Sequence, residues 1–128
     1  MNEEKKRILV IDDDVNILRV FKSILEKEGY HVETAETGKA ALEKIKEQKF
    51  NVCLIDVVLP DMDGTELLRK LSTESATIKI IITGFSSDEV GKKAADYGAD
   101  DFLVKPVRPE ELIATVHDRL AALQQQEC

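Results

Sequence analysis

Aspartates stand in this chain at two places where apolar runs end. Asp12 and Asp13 follow Ile8-Leu9-Val10-Ile11, and Asp56 follows Val52-Cys53-Leu54-Ile55. Thr83 closes a third run, Ile78 to Ile82, and Lys105 follows a fourth, Phe102 to Val104, with Pro106 behind it. An acid after a strand is ordinarily a helix cap, and Asp14 is read that way. Asp56 does not fit that role, because Val57, Val58 and Leu59 follow it and no helical pattern begins until after Pro60-Asp61-Met62-Asp63-Gly64. An aspartate among apolar neighbours incurs a desolvation penalty, so it needs a partner or a task.

Carboxylates brought together raise one another's pKa unless a cation joins them. A hard divalent ion meets that need. Magnesium is the natural choice, since it binds through one or two carboxylates, keeps several waters and completes its shell with substrate phosphate. Calcium fits less well, there being no ligand-dense loop of the EF-hand kind, and zinc is disfavoured because neither His31 nor His117 neighbours these acids in sequence. The turn Asp12-Asp13-Asp14-Val15-Asn16 has no glycines with which to cradle a bare phosphate, so a nucleotide cofactor is not expected. With a metal bound the local sign inverts. A phosphoryl group could then approach, its oxygens shared among the ion, Lys105 and the Thr83 hydroxyl, with Asp56 as nucleophile.

Such groups must be held at one edge of a sheet. Five short runs rich in branched residues read as buried strands: Arg7 to Ile11, His31 to Ala35, Val52 to Ile55, Ile78 to Ile82 and Phe102 to Val104. A helical pattern follows each one. The first starts near Val15 with Ile17, Leu18, Phe21, Ile24 and Leu25 inward and Gly29 at its end; the second starts at Gly38, capped by Thr37, with Ala41, Leu42 and Ile45 inward. The third begins behind Asp63 and buries Leu67, Leu68 and Leu71. Ser86 and Glu89 have capping-box spacing for the fourth, whose apolar face is thin (Val90, Ala94) and whose Gly91 costs about 1 kcal/mol relative to alanine. Pro109 suits the first turn of the fifth, with Ile113, Val116, Leu120 and Leu123 inward. Strict alternation of strand and helix predicts a parallel α/β sheet with right-handed crossovers, and ligands bind such sheets beyond the carboxyl ends of the strands.

The 128 residues, 43% of them apolar, suffice for one core. The expected domain spans residues 1–123, with 124–128 a polar tail or the start of a linker. No apolar run approaches the roughly 20 residues of a membrane span, and the one behind the charged start breaks at Asp12, short of the about 7 a signal peptide needs. Those features, with Cys53 inside a strand pattern and Cys128 in a polar tail, predict a cytoplasmic protein without a structural disulfide. A net charge of −7 and lysines scattered among acids argue against direct nucleic-acid binding.

At these residues the sequence resembles the receiver domains of two-component response regulators, of the chemotaxis-receiver kind. The likeness lies in Ile8 to Asp14 (ILVIDDD), Leu54 to Gly64 (LIDVVLPDMDG), Ile80 to Gly84 (IIITG) and Gly98 to Pro106 (GADDFLVKP), in the family's order and spacing, and covers roughly residues 6 to 123. The resemblance implies a flavodoxin-like doubly wound (βα)5 fold with strand order 2-1-3-4-5. It implies Asp56 as phosphoacceptor, Asp13 as a direct magnesium ligand, Asp12 as a ligand through water, and the Val58 carbonyl as a further one. Thr83 would bond the phosphoryl oxygens and Lys105 pair with them, Phe102 would turn inward when Thr83 moves, and the Lys105-Pro106 bond would be cis. The implied partners are a sensor histidine kinase or histidine phosphotransfer protein, and a downstream protein or output domain. A second copy could dock through the fourth helix, fifth strand and fifth helix. The family often has tyrosine where Phe102 stands, and the positions of Val58 and Gly84 vary with phosphoryl lifetime.

The implied activity is that of a switch which accepts one phosphoryl group and loses it slowly, not of a turnover enzyme. Two other readings compete. A magnesium-dependent phosphohydrolase of the haloacid dehalogenase type also uses an aspartate nucleophile on a parallel sheet, but wants a second acid two residues on, where this chain has Val58. A receiver-like module that is never phosphorylated would not need the full set of acids, hydroxyl and lysine.

Overall fold

A computed structural model describes residues 5–71, 76–84 and 88–127, with 88–90 and 124–127 described by backbone alone. Strands β1 (Arg7–Ile11), β2 (His31–Ala35), β3 (Val52–Asp56), β4 (Ile78–Thr83) and β5 (Asp101–Val104) alternate with helices α1 (Val15–Lys27), α2 (Gly38–Glu47), α3 (Gly64–Lys70), α4 (Asp88–Asp96) and α5 (Pro109–Glu127). All pairings are parallel, and the strand order is β2-β1-β3-β4-β5, the doubly wound α/β arrangement expected. Strand order reverses at β1, whose neighbours are β2 on one side and β3 on the other. Asp12 and Asp56 therefore come from the two strands that flank the switch point.

Side chains alternate across the sheet, as strand geometry requires, and this splits the core in two. Ile8, Val10, Val52, Leu54, Ile80 and Ile82 face α1 and α5, where Leu18, Phe21, Leu25, Leu112 and Val116 meet them. Leu9, Ile11, Cys53, Ile55 and Ile81 face the other way, against Ala41, Leu67, Leu68 and Ala94. With both faces covered, the central strands carry continuous apolar runs. Each fully buried leucine or isoleucine among them contributes about 1.5–3 kcal/mol relative to exposure.

The helix starts follow their caps. Asp14 accepts the Asn16 amide at 2.9 Å, Thr37 accepts that of Ala40 at 3.0 Å, and Asp63 accepts that of Thr65 at 2.9 Å. Gly29, beyond α1, has φ of 94°, the left-handed conformation that terminates helices. Three details differ from the sequence reading. Asp56 and Thr83 are the last residues of their strands and not the first beyond them, and β5 begins one residue earlier, at Asp101. In α5 it is Leu112, fully buried, that meets the core with Val116, while Ile113 is half-buried: Leu112, Val116 and Leu120 recur every four residues and set the stripe. That helix also continues to Glu127, past the last apolar residue of the stripe, since glutamine and glutamate extend a helix at little cost. Ser86 and the Glu89 and Val90 side chains lie outside the described residues.

Candidate functional site

Asp12 and Asp56 are 3% and 5% exposed, figures that set them apart from ordinary surface carboxylates. Asp13, next to Asp12, is exposed. Each of the three offers a carboxylate oxygen within 4.8 Å of the other two. Parallel pairing of β1 and β3 brings them together, because Ile11 lies beside Ile55 and the next residue of each strand is the aspartate. Lys105 arrives from the end of β5, its amide bonded to the Thr83 carbonyl at 2.8 Å, and its Nζ reaches Asp12 Oδ2 at 2.9 Å and Asp56 Oδ2 at 3.1 Å. The Lys105-Pro106 peptide is cis.

The electrostatics are those of a site short of positive charge. Burial raises the Asp12 pKa, and the neighbouring Asp56 carboxylate adds to it, against hydrogen bonds from the Asp14 amide and Lys105. Burial lowers the Lys105 pKa, but Asp12 and then Asp56 outweigh burial and raise it. Three carboxylates against one ammonium leave a formal charge of −2. The donor set is all oxygen, which suits a hard divalent cation. The residues present therefore fit magnesium, which would supply the missing charge.

Thr83 is fully buried at the end of β4 and pairs with Val104. Phe102 pairs with Ile81, so Thr83 and Phe102 share one face of neighbouring strands, with Phe102 half-buried against the core on that side. Val58 is 51% exposed just beyond Asp56; its amide donates to Asp56 Oδ1 at 3.1 Å, and it makes an isolated bridge with Asp63. His31 and His117 sit on Glu33 and Asp118, away from the acids.

Sequence reasoning assigned no task to Gly64. A Cβ built there would lie 2.0 Å from the Asp56 carbonyl oxygen and 2.7 Å from the Val57 Cα, and the Gly64 amide donates to the Val57 carbonyl at 2.7 Å. The first turn of α3 thus rests on the backbone that carries Asp56, and only glycine permits the approach. The glycine closing the Pro60-to-Gly64 segment was the available signal, but its need for close contact was not separable from an ordinary turn.

A buried acidic pair at the switch point of a doubly wound sheet, with an ammonium between its members, marks an α/β domain whose carboxyl edge is suited to a cation. The family model for the response regulator receiver domain matches residues 8–117, and the chain belongs to that family. It is 36% identical over 122 residues to the transcriptional regulatory protein ZraR of Klebsiella oxytoca, covering 94% of this chain and 28% of that protein. To the response regulator ArlR of Staphylococcus saprophyticus it is 39% identical over 115 residues, covering 89% of this chain and 52% of that one. The chain thus spans about half or less of these relatives. Among solved structures, a CheY-like response regulator receiver domain protein from Methanospirillum hungatei superposes with a TM-score of 0.93 at 42% identity, covering 96% of this chain and 99% of that one. The protein is a phosphorylation-dependent signalling domain of two-component systems. Among the described residues, no helix is long and apolar enough to cross a membrane.

Proposed function

We propose that Asp56 is the phosphoacceptor and that Asp12, Asp13, Asp56 and the Val58 carbonyl hold magnesium. The observation that carries this reading is the convergence of three carboxylates and Lys105 at one strand edge. Magnesium, when bound, supplies positive charge against the phosphoryl oxygens. The donor is a phosphohistidine on a sensor kinase or histidine phosphotransfer protein. An Asp56 carboxylate oxygen attacks phosphorus in line, the new O–P bond forms as the P–N bond breaks, and the imidazole leaves with the electron pair. Lys105 moves from the carboxylates to the transferred oxygens, and the Thr83 hydroxyl donates to another.

Both contacts exist only after transfer, so they favour one of two conformations and shift a pre-existing equilibrium. Phe102, on the face it shares with Thr83, follows the Thr83 movement inward. The face of α4, β5 and α5 then presents itself to a downstream protein, an attached output domain or a second copy of the chain. Val104, 42% exposed on an edge strand, supports that choice of face. The domain works in the cytoplasm, contacts no nucleic acid itself, and acts as an acceptor that discharges slowly, one phosphoryl group per chain.

Incubation with acetyl phosphate and magnesium should add the mass of one phosphoryl group, and Asp56→Asn should take up none. Equal labelling of that variant would overturn the assignment. A chain that never takes up label or magnesium would be the silent module instead.

A further inference from the structure

The segment between β3 and α3 is fastened at its two ends by its own bonds: Val58 to Asp56 at the start, and Asp63 to Thr65 with Gly64 to Val57 at the close. Its middle is fastened elsewhere. Asp61 Oδ1 accepts the Gly38 amide at 2.9 Å and Asp61 Oδ2 accepts the Lys39 amide at 2.9 Å, so one carboxylate straddles two consecutive N–H groups at the start of α2. Met62, the next residue, lies where a Gly38 side chain would be, since a Cβ there would stand 2.4 Å from the Met62 sulfur. Leu59 is buried against the core on the same side.

Helix α2 does not need this second cap in order to begin. Thr37 already satisfies the Ala40 amide, and Ala41 bonds to the Thr37 carbonyl. The Asp61 carboxylate comes from 22 residues beyond Lys39 and is solvent-exposed, so its effect on global stability is small. Its geometric effect is not small, because two charge-assisted bonds from adjacent amides fix both the position and the direction of the loop. The Gly38 and Lys39 amides hold the Asp61 carboxyl below the usual range, so the clamp persists at neutral pH.

We propose that Asp61 is a positioning residue, clamping the phosphoacceptor loop to the first turn of α2 and so coupling that helix to the state of Asp56. The inference rests on the reading above, in which Val58 and Asp56 hold the ion and Asp56 the phosphoryl group. Val58 lies three residues before Asp61, and its amide is bonded to the very carboxylate that is to be modified. Displacing that amide pulls on a segment anchored, beyond the buried Leu59, by the two bonds of Asp61, and so reaches Gly38 and Lys39. In the other direction, freeing Asp61 loosens the Val58 peptide and weakens the ion's hold.

The test follows the amide signals of Gly38 and Lys39 by NMR during titration with magnesium and then acetyl phosphate, in wild type, D61A, D61N and G38A, with folding checked by urea denaturation. In wild type both amides should shift on each addition. D61A should weaken magnesium about tenfold, the low end for groups that orient metal ligands, and lose the phosphorylation-linked shift of residue 38. D61N, which keeps one acceptor, should fall between. G38A displaces Met62 without changing charge, and it should also weaken magnesium. If wild type binds and labels but D61A leaves the affinity and the amide shifts unchanged, the inference fails. It fails equally if D61N and D61A lose the same affinity while G38A loses none, since only the charge would then matter. A wild type that neither labels nor binds magnesium strikes instead at the reading of Asp56.

Discussion

Buried polar groups occur at both ends of this sheet, and they are arranged in opposite ways. At the amino edge Lys79, 5% exposed, donates from Nζ to the Thr77 carbonyl at 2.8 Å, while its backbone amide donates to Asp100 and its carbonyl accepts the Asp100 amide. Asn51 bonds the backbone of Arg7 in the same reciprocal fashion, and Thr77 donates to the Phe50 carbonyl. Cys53 nearby is buried so fully that its thiol is pushed up to about 12, far from nucleophilic at neutral pH. Each polar group there ties a loop to a strand. At the carboxyl edge the polar side chains of three strands face one another, and like charges meet. Burial of polarity alone does not mark a site; crowding of one sign of charge, left partly uncompensated, does.

The largest effect is expected where that edge is tightest. Gly64→Ala would drive a Cβ into the Asp56 carbonyl, and backbone on both sides leaves nothing flexible to yield. A loss of about 3 kcal/mol in urea denaturation is expected, at the upper end of overpacking costs, together with slower labelling by acetyl phosphate. An alanine variant as stable as wild type would mean that the loop relaxes freely, and the contrast between rigid and adaptable edges would weaken.

Next come two lysines, the partly exposed Lys105 and the buried Lys79, which test the comparison directly. Lys105→Met leaves Asp12 and Asp56 facing each other unneutralised, and should cost about 1–2 kcal/mol without divalent ion, less than for a fully enclosed pair because the ammonium is partly exposed. Magnesium should restore more stability to this variant than to wild type, measured as the shift in Tm on adding the ion. Lys79→Met should lower stability without altering the magnesium-dependent part or the rate of labelling. Equal magnesium responses in the two variants would show that Lys105 does not share the carboxylates with the ion.

What the sequence revealed of this comparison divides along contact distance. Asp12, Asp56, Thr83 and Lys105 were legible because each ends a branched apolar run, and a parallel sheet delivers all such ends to one edge. The caps Asp14 and Thr37 were legible because a cap is a local bond. Leu112 was not distinguished from Ile113, since two adjacent apolar residues leave the phase of a helix undecided until its partner is known. The Asp61 clamp was not legible either. It joins residues 22 and 23 positions apart, and an acid in a proline-containing loop looks solvated until α2 is set against it.

The smallest expected effect lies on β2, away from both edges. Glu33 sits at the middle of that edge strand beside Leu9, and its carboxylate takes hydrogen bonds from Lys44 at 3.1 Å, His31 at 3.2 Å and Gln48 at 2.6 Å. Burial works against its charge, but Lys44, His31 and Gln48 together outweigh burial and hold the carboxyl below the usual glutamate value of 4.5. A carboxylate depressed on folding binds fewer protons in the native state than in the unfolded one. Its contribution is therefore complete above that value and lost as pH falls through the lower folded one. Glu33→Gln should cost at most about 1 kcal/mol at neutral pH, because the network is open to solvent, and should make the decline of stability below pH 4.5 shallower than in wild type. Magnesium affinity should not change, since Glu33 bonds the far end of α2, at Lys44 and Gln48, and not the first turn that Asp61 grips. A magnesium affinity that moved with Glu33 would mean that the carboxyl edge is not electrostatically separate from the rest of the sheet, and the contrast drawn between its ends would have to be abandoned.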